Sequence, residues 1–387
     1  MHKKILIGLF KEAEREGLIF RKALISSGRR LRTDDKTEYI NFSTTSYLGL
    51  EFDCRCIKAV ETAMYETGIF FYSSPIFLRS PYQVCLEKKI ADVVNYPDIS
   101  LFSSVTLLNM GVLPAITPDY GCVVVDEFVH QSVYDGLAVA RCKRIKRYRN
   151  CDPQHLEYIL KRNNEINKPP LVITDGVFSM SGNIAPLETI AEHVLKRNGL
   201  LYVDDSHGFG VLGEKGEGLA QRCSRTPCKT IYVGSMNKAL AAPVCFVAGA
   251  KEDVQNIRWN AHTAVFSGSV SVPMIAGAIK GLEISTGLEG KKLRAKLNEN
   301  RVRLSNGLKS FGFGQIHAGC GIVSIELNDI EIFKSVCKRM HAHKIAFNPL
   351  TFPAVPQGKY LIRFSISALH TKQDVEHVLM AVKGMNG

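Results

Sequence analysis

Between residues 121 and 250 the chain alternates short, wholly apolar runs with stretches of helical spacing. The runs are "GCVVVDEFVH" (Gly121–His130), "PLVITDGVFS" (Pro170–Ser179), "LLYVDDSH" (Leu200–His207), "TIYVGSMNKAL" (Thr230–Leu240) and "CFVAGA" (Cys245–Ala250). Their apolar cores are too short for helices and lack the polar alternation of a half-exposed strand, so they read as strands buried on both faces. Segments such as "APLETIAEHVLKRNG" lie between them, with Pro186 near the start and Gly199 as the stop, and supply the helical crossovers that parallel strands require. The expectation is an α/β fold built on a mainly parallel sheet. Ligands of such sheets sit beyond the carboxyl ends of the strands. That rule selects Asp126, His130, Asp175, Ser179, Asp204, His207 and Lys238 as neighbours along one rim.

After about Gly287 the texture changes. A long helical pattern, "GLEGKKLRAKLNENRVRLSNGLKSFG", leads to two strand-like runs, "GIVSIELND" and "KYLIRFSIS", and "TKQDVEHVLMAVKGM" reads as a final helix. Three parts are expected: an N-terminal helical or extended segment over 1–43, a large α/β domain over 44–286 and a small α+β domain over 287–387. The opening "MHKKILIGLFKEAEREG" reads as an amphipathic helix, because Lys11 and Glu12 cut its apolar run short of a signal peptide. No window reaches the apolar length of a membrane span. Eleven cysteines are scattered without a C-x-x-C pair, the usage of reduced thiols in a cytoplasm and not of a disulfide or zinc framework.

A net charge of +12 favours anionic partners. It gathers in "GRRLR", "RCKRIKRYR" and "KKLRAKLNENRVR". No zinc-finger spacing or aromatic–basic RNA signature accompanies it, so nucleic acid is not the expectation. A polyanionic small molecule such as a coenzyme A thioester would use the same field.

Gly208, Gly210 and Gly213 spell G-x-G-x-x-G after a strand, the fingerprint of a dinucleotide loop. That loop needs a helix opening at the glycines, so that its first amides face a pyrophosphate. Here "EKGEG" follows, a poor helix start, and the glycines read as a tight turn. The residues just before them say more. A strand ending in Asp204-Asp205-Ser206-His207 delivers a carboxylate and an imidazole to the rim, and "GSMNKAL" sets Lys238 in a polar turn after another strand. A lysine for a Schiff base, a carboxylate for a pyridine nitrogen and a polar group for a ring hydroxyl suit pyridoxal 5'-phosphate (PLP).

"YVDDSHGFGVLGEKGEG", "VGSMNKAL", "DGVFSMSGNIAPL", "INFSTTSYLGL" and "LIRFSISALHT" together resemble the motifs of the α-oxoamine synthases, fold-type I PLP enzymes, in order from about Asn41 to the C-terminus. Those enzymes join an amino acid to an acyl-CoA thioester, usually with loss of the amino acid's carboxylate. The resemblance implies that Lys238 holds the cofactor and moves protons at the substrate α-carbon. It implies that Asp204 pairs with the pyridine nitrogen, that His207 contacts the ring oxygen, that His130 stacks on the ring and that Ser179 places a hydroxyl nearby. Ser235, in "VGSMNKAL", falls among the cofactor contacts. Arg363 matches the arginine that binds the amino acid carboxylate, a task suited to its fork of donors.

The chain departs from the family at three places. Where the family has a Ser-Gly-aromatic turn for the phosphate, "FSSVTLLN" has Ser104, Val105 and Thr106, and valine resists a glycine's backbone angles. Thr45 and Ser46 stand where many members carry Asn and Asp, which touches amino acid choice, and Thr45 is the substrate-binding candidate. A glycine-rich "GSGGSR" segment is replaced by "FFYSSPIFLRSPYQVCLEKKIA", which looks closer to the α-hydroxyketone autoinducer synthase branch. "HTAVFSGSVSVPMIAG" fits that branch loosely, and its Ser267 and Ser269 are the candidates for reaching a neighbour's phosphate in a homodimer.

The expected activity is therefore a PLP-dependent, decarboxylative condensation of a small amino acid with an acyl-CoA, giving an aminoketone for signalling. The alternatives are an 8-amino-7-oxononanoate synthase, a serine palmitoyltransferase-like enzyme or a catalytically silent subunit of one. No metal is expected.

Overall fold

The computed structural model describes residues 11, 14–15, 22–70, 73–162, 168–313, 315–352 and 354–385; the expected N-terminal amphipathic helix falls mostly outside them. Three N-terminal strands come first: β1 (Ala23–Ser26), β2 (Arg30–Thr33) and β3 (Glu38–Asn41). The middle of the chain supplies β4 (Asp98–Phe102), β5 (Cys122–Asp126), β6 (Ile145–Tyr148), β7 (Pro170–Asp175), β8 (Leu200–Asp204), β9 (Lys229–Ser235) and β10 (Cys245–Gly249). The last third adds β11 (Gln315–Gly319), β12 (Ile322–Leu327), β13 (Ile345–Ala346), β14 (Asn348–Leu350) and β15 (Tyr360–Ser365).

Two compact units result, Leu50–Ala295 on the one hand and Met1–Gly49 with Lys296–Gly387 on the other. The first holds a seven-stranded sheet in the order β4-β10-β9-β8-β7-β5-β6. β5 to β9 are mutually parallel, and β10 runs antiparallel to both of its neighbours. Every residue of β5, β7 and β8 is buried, which is why these strands appear in the sequence as unbroken apolar runs. Val112, Leu113, Val133, Ile173, Tyr202 and Val233 belong to one core cluster that joins the central strands to the flanking helices.

Local chemistry sets the helix ends. Ser80 and Asp152 each accept an N–H of the first turn, ahead of Pro81 and Pro153 at the first helical position. The expected crossover helix spans Leu187–Leu195, and Asn198 rather than Gly199 takes the left-handed conformation after it.

The other unit is organised differently from the three-part division expected of the sequence. β3 pairs in parallel with β13, Ile40 opposite Ile345 and Asn41 opposite Ala346, so the N-terminal strands share a sheet with the C-terminal third. His370 reinforces this join: its ring stacks on Phe42 at 3.9 Å, and its Nε2 bonds the Asn41 carbonyl at 3.0 Å. A second sheet has the order β11-β12-β15-β14. The Lys372–Val382 helix closes the unit with a reciprocal Thr371–Asp374 capping box.

Candidate active site

Four adjacent parallel strands of the large sheet end on polar residues: β5 on Asp126, β7 on Asp175, β8 on Asp204 and β9 on Ser235. Asp175 and Asp204 are register partners. The next residues on each strand must leave the sheet, and the loops they form carry the remaining candidates.

Asp126 is a scaffold group. Its carboxylate accepts Phe128 N–H, Asn150 Nδ2–H and Cys151 N–H at 2.9–3.0 Å, which ties two loops to the strand end, and burial raises its pKa. Asp175 accepts the His130 N–H at 3.2 Å. Burial first, and the Asp204 carboxylate second, push Asp175 well above the usual carboxylate range, while the Lys238 ammonium pulls it back. Lys238 and Asp204 also act on the buried Cys245 thiol, raised mainly by burial. The lysine and the aspartate of the sequence constellation thus share two electrostatic neighbours.

Asp204 is the best-held carboxylate. Its Oδ1 accepts from Ser206 Oγ at 2.5 Å and Ser206 N–H at 3.1 Å, and its Oδ2 accepts from Asn109 Nδ2 at 3.2 Å. His207 is nearly buried in the turn that follows. Ser235 is fully buried, its hydroxyl donating to Asn237 Oδ1 at 2.6 Å beside the half-buried Lys238. Ser179 sits half-buried in the tight turn after β7, where Phe178 N–H meets the Asn183 carbonyl and Gly182 N–H the Phe178 carbonyl.

Two helices point their N-termini toward this end of the sheet. His130 caps Gln131–Val139, its ring exposed and its Nδ1 accepting Ser132 N–H at 3.2 Å. Ser104 caps Val105–Ile116, accepting Leu107 N–H. Val105 is simply the first helical residue, so valine meets no left-handed backbone here and the departure from glycine carries no strain. Thr106 is exposed in the same first turn, whose free amide ends favour an anion.

The glycine loop is a turn and no dinucleotide cradle. No helix opens at Gly208–Gly213; the next one, Ala220–Ser224, is barely more than a turn. The buried Asp205 carboxylate fills the space the glycines leave. Its Oδ2 accepts Leu219 N–H and Tyr232 OH, both at 2.7 Å, and a Cβ on Gly208 would lie 2.1 Å from Oδ1. Gly210, at φ +84°, supplies the left-handed kink.

Ser267 and Ser269 belong to a different loop, one joined to Ile69 and Ser74. Ser74 Oγ donates to the Val265 carbonyl at 2.6 Å and Ser271 Oγ to that of Ile69 at 3.0 Å. Arg363 and Thr45 belong to the other compact unit. There Arg363 lies on β15, between β12 and β14 and not on an edge; its Nη1 donates to Asn348 Oδ1 at 3.2 Å while its buried Nε has no hydrogen-bond partner among the described residues. Thr45 accepts the Tyr47 N–H through its carbonyl.

Three residues were not singled out from sequence. Asn109, Ser132 and Tyr202 are buried and joined to one another: Asn109 Nδ2 donates to Ser132 Oγ at 2.9 Å, and Tyr202 OH donates to Asn109 Oδ1 at 2.5 Å. The only sequence signal is a carboxamide in the otherwise apolar helix "VTLLNMGVLPAI".

A parallel sheet with a lysine, a histidine and carboxylates at its strand ends and a helix N-terminus beside them defines a fold-type I PLP-dependent transferase. The chain belongs to the aminotransferase class I and II family, which it matches over residues 37–382. It is 31% identical to an 8-amino-7-oxononanoate synthase of Symbiobacterium thermophilum, over 93% of this chain and 91% of that protein. It is likewise 31% identical to the 2-amino-3-ketobutyrate coenzyme A ligase of Escherichia coli K12, over 95% and 93% of the two chains. Among solved structures, a serine palmitoyltransferase variant from S. paucimobilis with a bound PLP–myriocin aldimine superposes with a TM-score of 0.88 at 24% identity, covering 98% and 96%. At that identity the likeness concerns the fold.

Proposed function

We propose that the chain condenses a small amino acid with a medium- or long-chain acyl-CoA, releasing CoA and CO2 and leaving an aminoketone. The coarser statement needs no proposal: it is a PLP-dependent acyltransferase of the α-oxoamine synthase type. The residues present suit the cofactor. A primary amine, a carboxylate that already gathers three donors, an exposed imidazole and a helix N-terminus are the amine, acceptor, stacking and anion-binding groups that PLP requires. The observation that carries the reading is the buried Asp204 carboxylate at the end of β8, in register with Asp175 and held by three donors from Ser206 and Asn109.

In this reading the cofactor's protonated ring stores the electron pair left when a proton departs the amino acid's α-carbon. Lys238 anchors the cofactor's aldehyde and afterwards carries that proton. Asp204 keeps the pyridine nitrogen protonated, His207 bonds the ring oxygen, His130 covers one ring face, and Ser179 and Ser235 supply hydroxyls. Ser104, Val105 and Thr106 hold the phosphate through the first amides of their helix. Arg363 takes the amino acid carboxylate, for which its unpartnered Nε leaves a donor ready, and Thr45 lines the same subsite.

Homodimerisation belongs to the proposal. Ile69, Phe70 and Phe266 are exposed around the loop of Ser267 and Ser269, an apolar surface suited to a second copy whose phosphate those serines reach. Exposed Ile76, Phe77 and Leu78, where a glycine-rich segment is expected, favour an apolar acyl chain and the α-hydroxyketone signalling branch. A cytoplasmic enzyme accords with the reading; among the described residues no helix is long and apolar enough to cross a membrane. The test is a panel of acyl-CoA lengths against glycine, alanine, serine and 2-aminobutyrate, with release of CO2 followed from labelled amino acid. The expected result is CO2 release that rises with acyl length. Strict preference for malonyl or succinyl donors contradicts the apolar reading.

A further inference from the structure

Every hydrogen-bonding atom of the Asn109 side chain is committed. Nδ2 donates one proton to Asp204 Oδ2 (3.2 Å) and the other to Ser132 Oγ (2.9 Å), and Oδ1 accepts from Tyr202 OH (2.5 Å). A carboxylate only accepts, so a reversed amide would set its oxygen against Asp204, and the orientation is fixed. Ser132 Oγ, having accepted from Asn109, has its own proton to give, and His130 Nδ1 lies 2.8 Å away. That same Nδ1 accepts the Ser132 backbone N–H at 3.2 Å, a donor with no alternative role. Nδ1 therefore carries no proton, and the proton of the imidazole sits on Nε2. One buried amide thus reaches two of the residues proposed to hold the cofactor, Asp204 directly and His130 through Ser132.

We propose that Asn109 is a positioning residue for this site, an inference that rests on the PLP reading for its consequence. Its first N–H orients the Asp204 carboxylate, the group that would face the pyridine nitrogen. Its second orders Ser132 so that His130 is held in the Nε2–H tautomer, with the ring plane fixed for stacking. Tyr202, buried on β8, sets the amide itself. A merely structural amide would be indifferent to the state of the histidine.

The experiment uses the full chain with and without added PLP. Histidine 15N–1H long-range spectra give the tautomer, with the His130 signals assigned by their loss in His130→Asn, and a titration gives the Kd for PLP. The wild type is expected to show His130 with bare Nδ1 and protonated Nε2 even without cofactor. Asn109→Ala and Ser132→Ala disturb or remove the hydroxyl donor, one of the two donors to Nδ1, and are expected to shift those signals measurably, the Ser132 backbone N–H still favouring the Nε2–H form. Asn109→Ala should also weaken PLP binding roughly tenfold or more, the worth of one hydrogen bond to a charged group. Tyr202→Phe, which keeps both donor bonds, should retain the tautomer. A folded Asn109→Ala with unchanged His130 signals and unchanged Kd overturns the proposal. If Asn109→Ala does not fold, unchanged signals in Ser132→Ala overturn it instead. Should the wild type take up no PLP, the cofactor reading fails by itself, and the histidine spectrum of the cofactor-free chain still decides whether the amide sets the tautomer.

Discussion

Asp175 and Asp204 are register partners at the carboxyl ends of neighbouring parallel strands, and both are buried. Two carboxylates this close do not share their burden evenly. The donors collect on Asp204, from Ser206 and Asn109, while Asp175 accepts the His130 N–H. Burying two carboxylates side by side is a cost in stability carried at this strand end.

Asp175→Asn should therefore change the pH dependence of stability. A carboxyl raised in the folded state stabilises fully below the unfolded carboxylate pKa, about 3.9, and loses that contribution as pH rises toward its folded value. Relative to wild type, the variant should gain stability progressively as pH rises above about 4 in urea unfolding. Parallel curves for the two proteins would argue that Asp204 does not press on Asp175.

His370 gives the opposite slope. Burial first of all lowers its pKa to about 4, and both ring nitrogens are occupied, Nδ1 by Ser367 N–H and Nε2 by the Asn41 carbonyl. The unfolded imidazole titrates near 6.5, so stability should be lost as pH falls from about 6.5 to about 4. His370→Asn should flatten that limb while lowering stability at neutral pH, read from thermal midpoints at pH 5 and pH 7.5.

Gly208→Ala tests the turn. The added methyl would meet Asp205, whose carboxylate is pinned by Leu219 and Tyr232 and cannot swing aside. The expected loss is ~1–3 kcal/mol of unfolding free energy, with no NADH binding in either protein by fluorescence. An unaffected midpoint would contradict the crowding at Asp205.

Val105→Gly addresses the departure in the phosphate turn. Val105 is an ordinary helical residue packed against the core cluster, so glycine offers no conformational relief. The variant should lose about 1 kcal/mol of stability through lost apolar contact and helix propensity. Its PLP affinity should match the wild type; a clear gain in affinity would show that valine does obstruct the phosphate site.

What the sequence discloses follows from how each element is stabilised. β5, β7, β8, β9 and β10 are legible because burial on both faces leaves unbroken apolar runs. β6 is not, since it is an edge strand whose Ile145, Lys146 and Arg147 are exposed, and it reads as a basic cluster. The pairing of β3 with β13 leaves no local trace, because a parallel pair joins segments through tertiary contact alone. The same holds in the site. Lys238, Asp204 and His130 announce themselves by residue type and place on a strand end, whereas Asn109 looks like any amide until its partners are known. Arg363 stands out by its motif, but only the sheet order shows that its strand is an interior one.

The most direct test is borohydride reduction of the purified chain after incubation with PLP, followed by peptide mass mapping. The account predicts a visible absorption band that reduction bleaches, a phosphopyridoxyl group on the peptide containing Lys238, and neither in Lys238→Ala. A colourless protein, or a label distributed over surface lysines with Lys238 untouched, would contradict it.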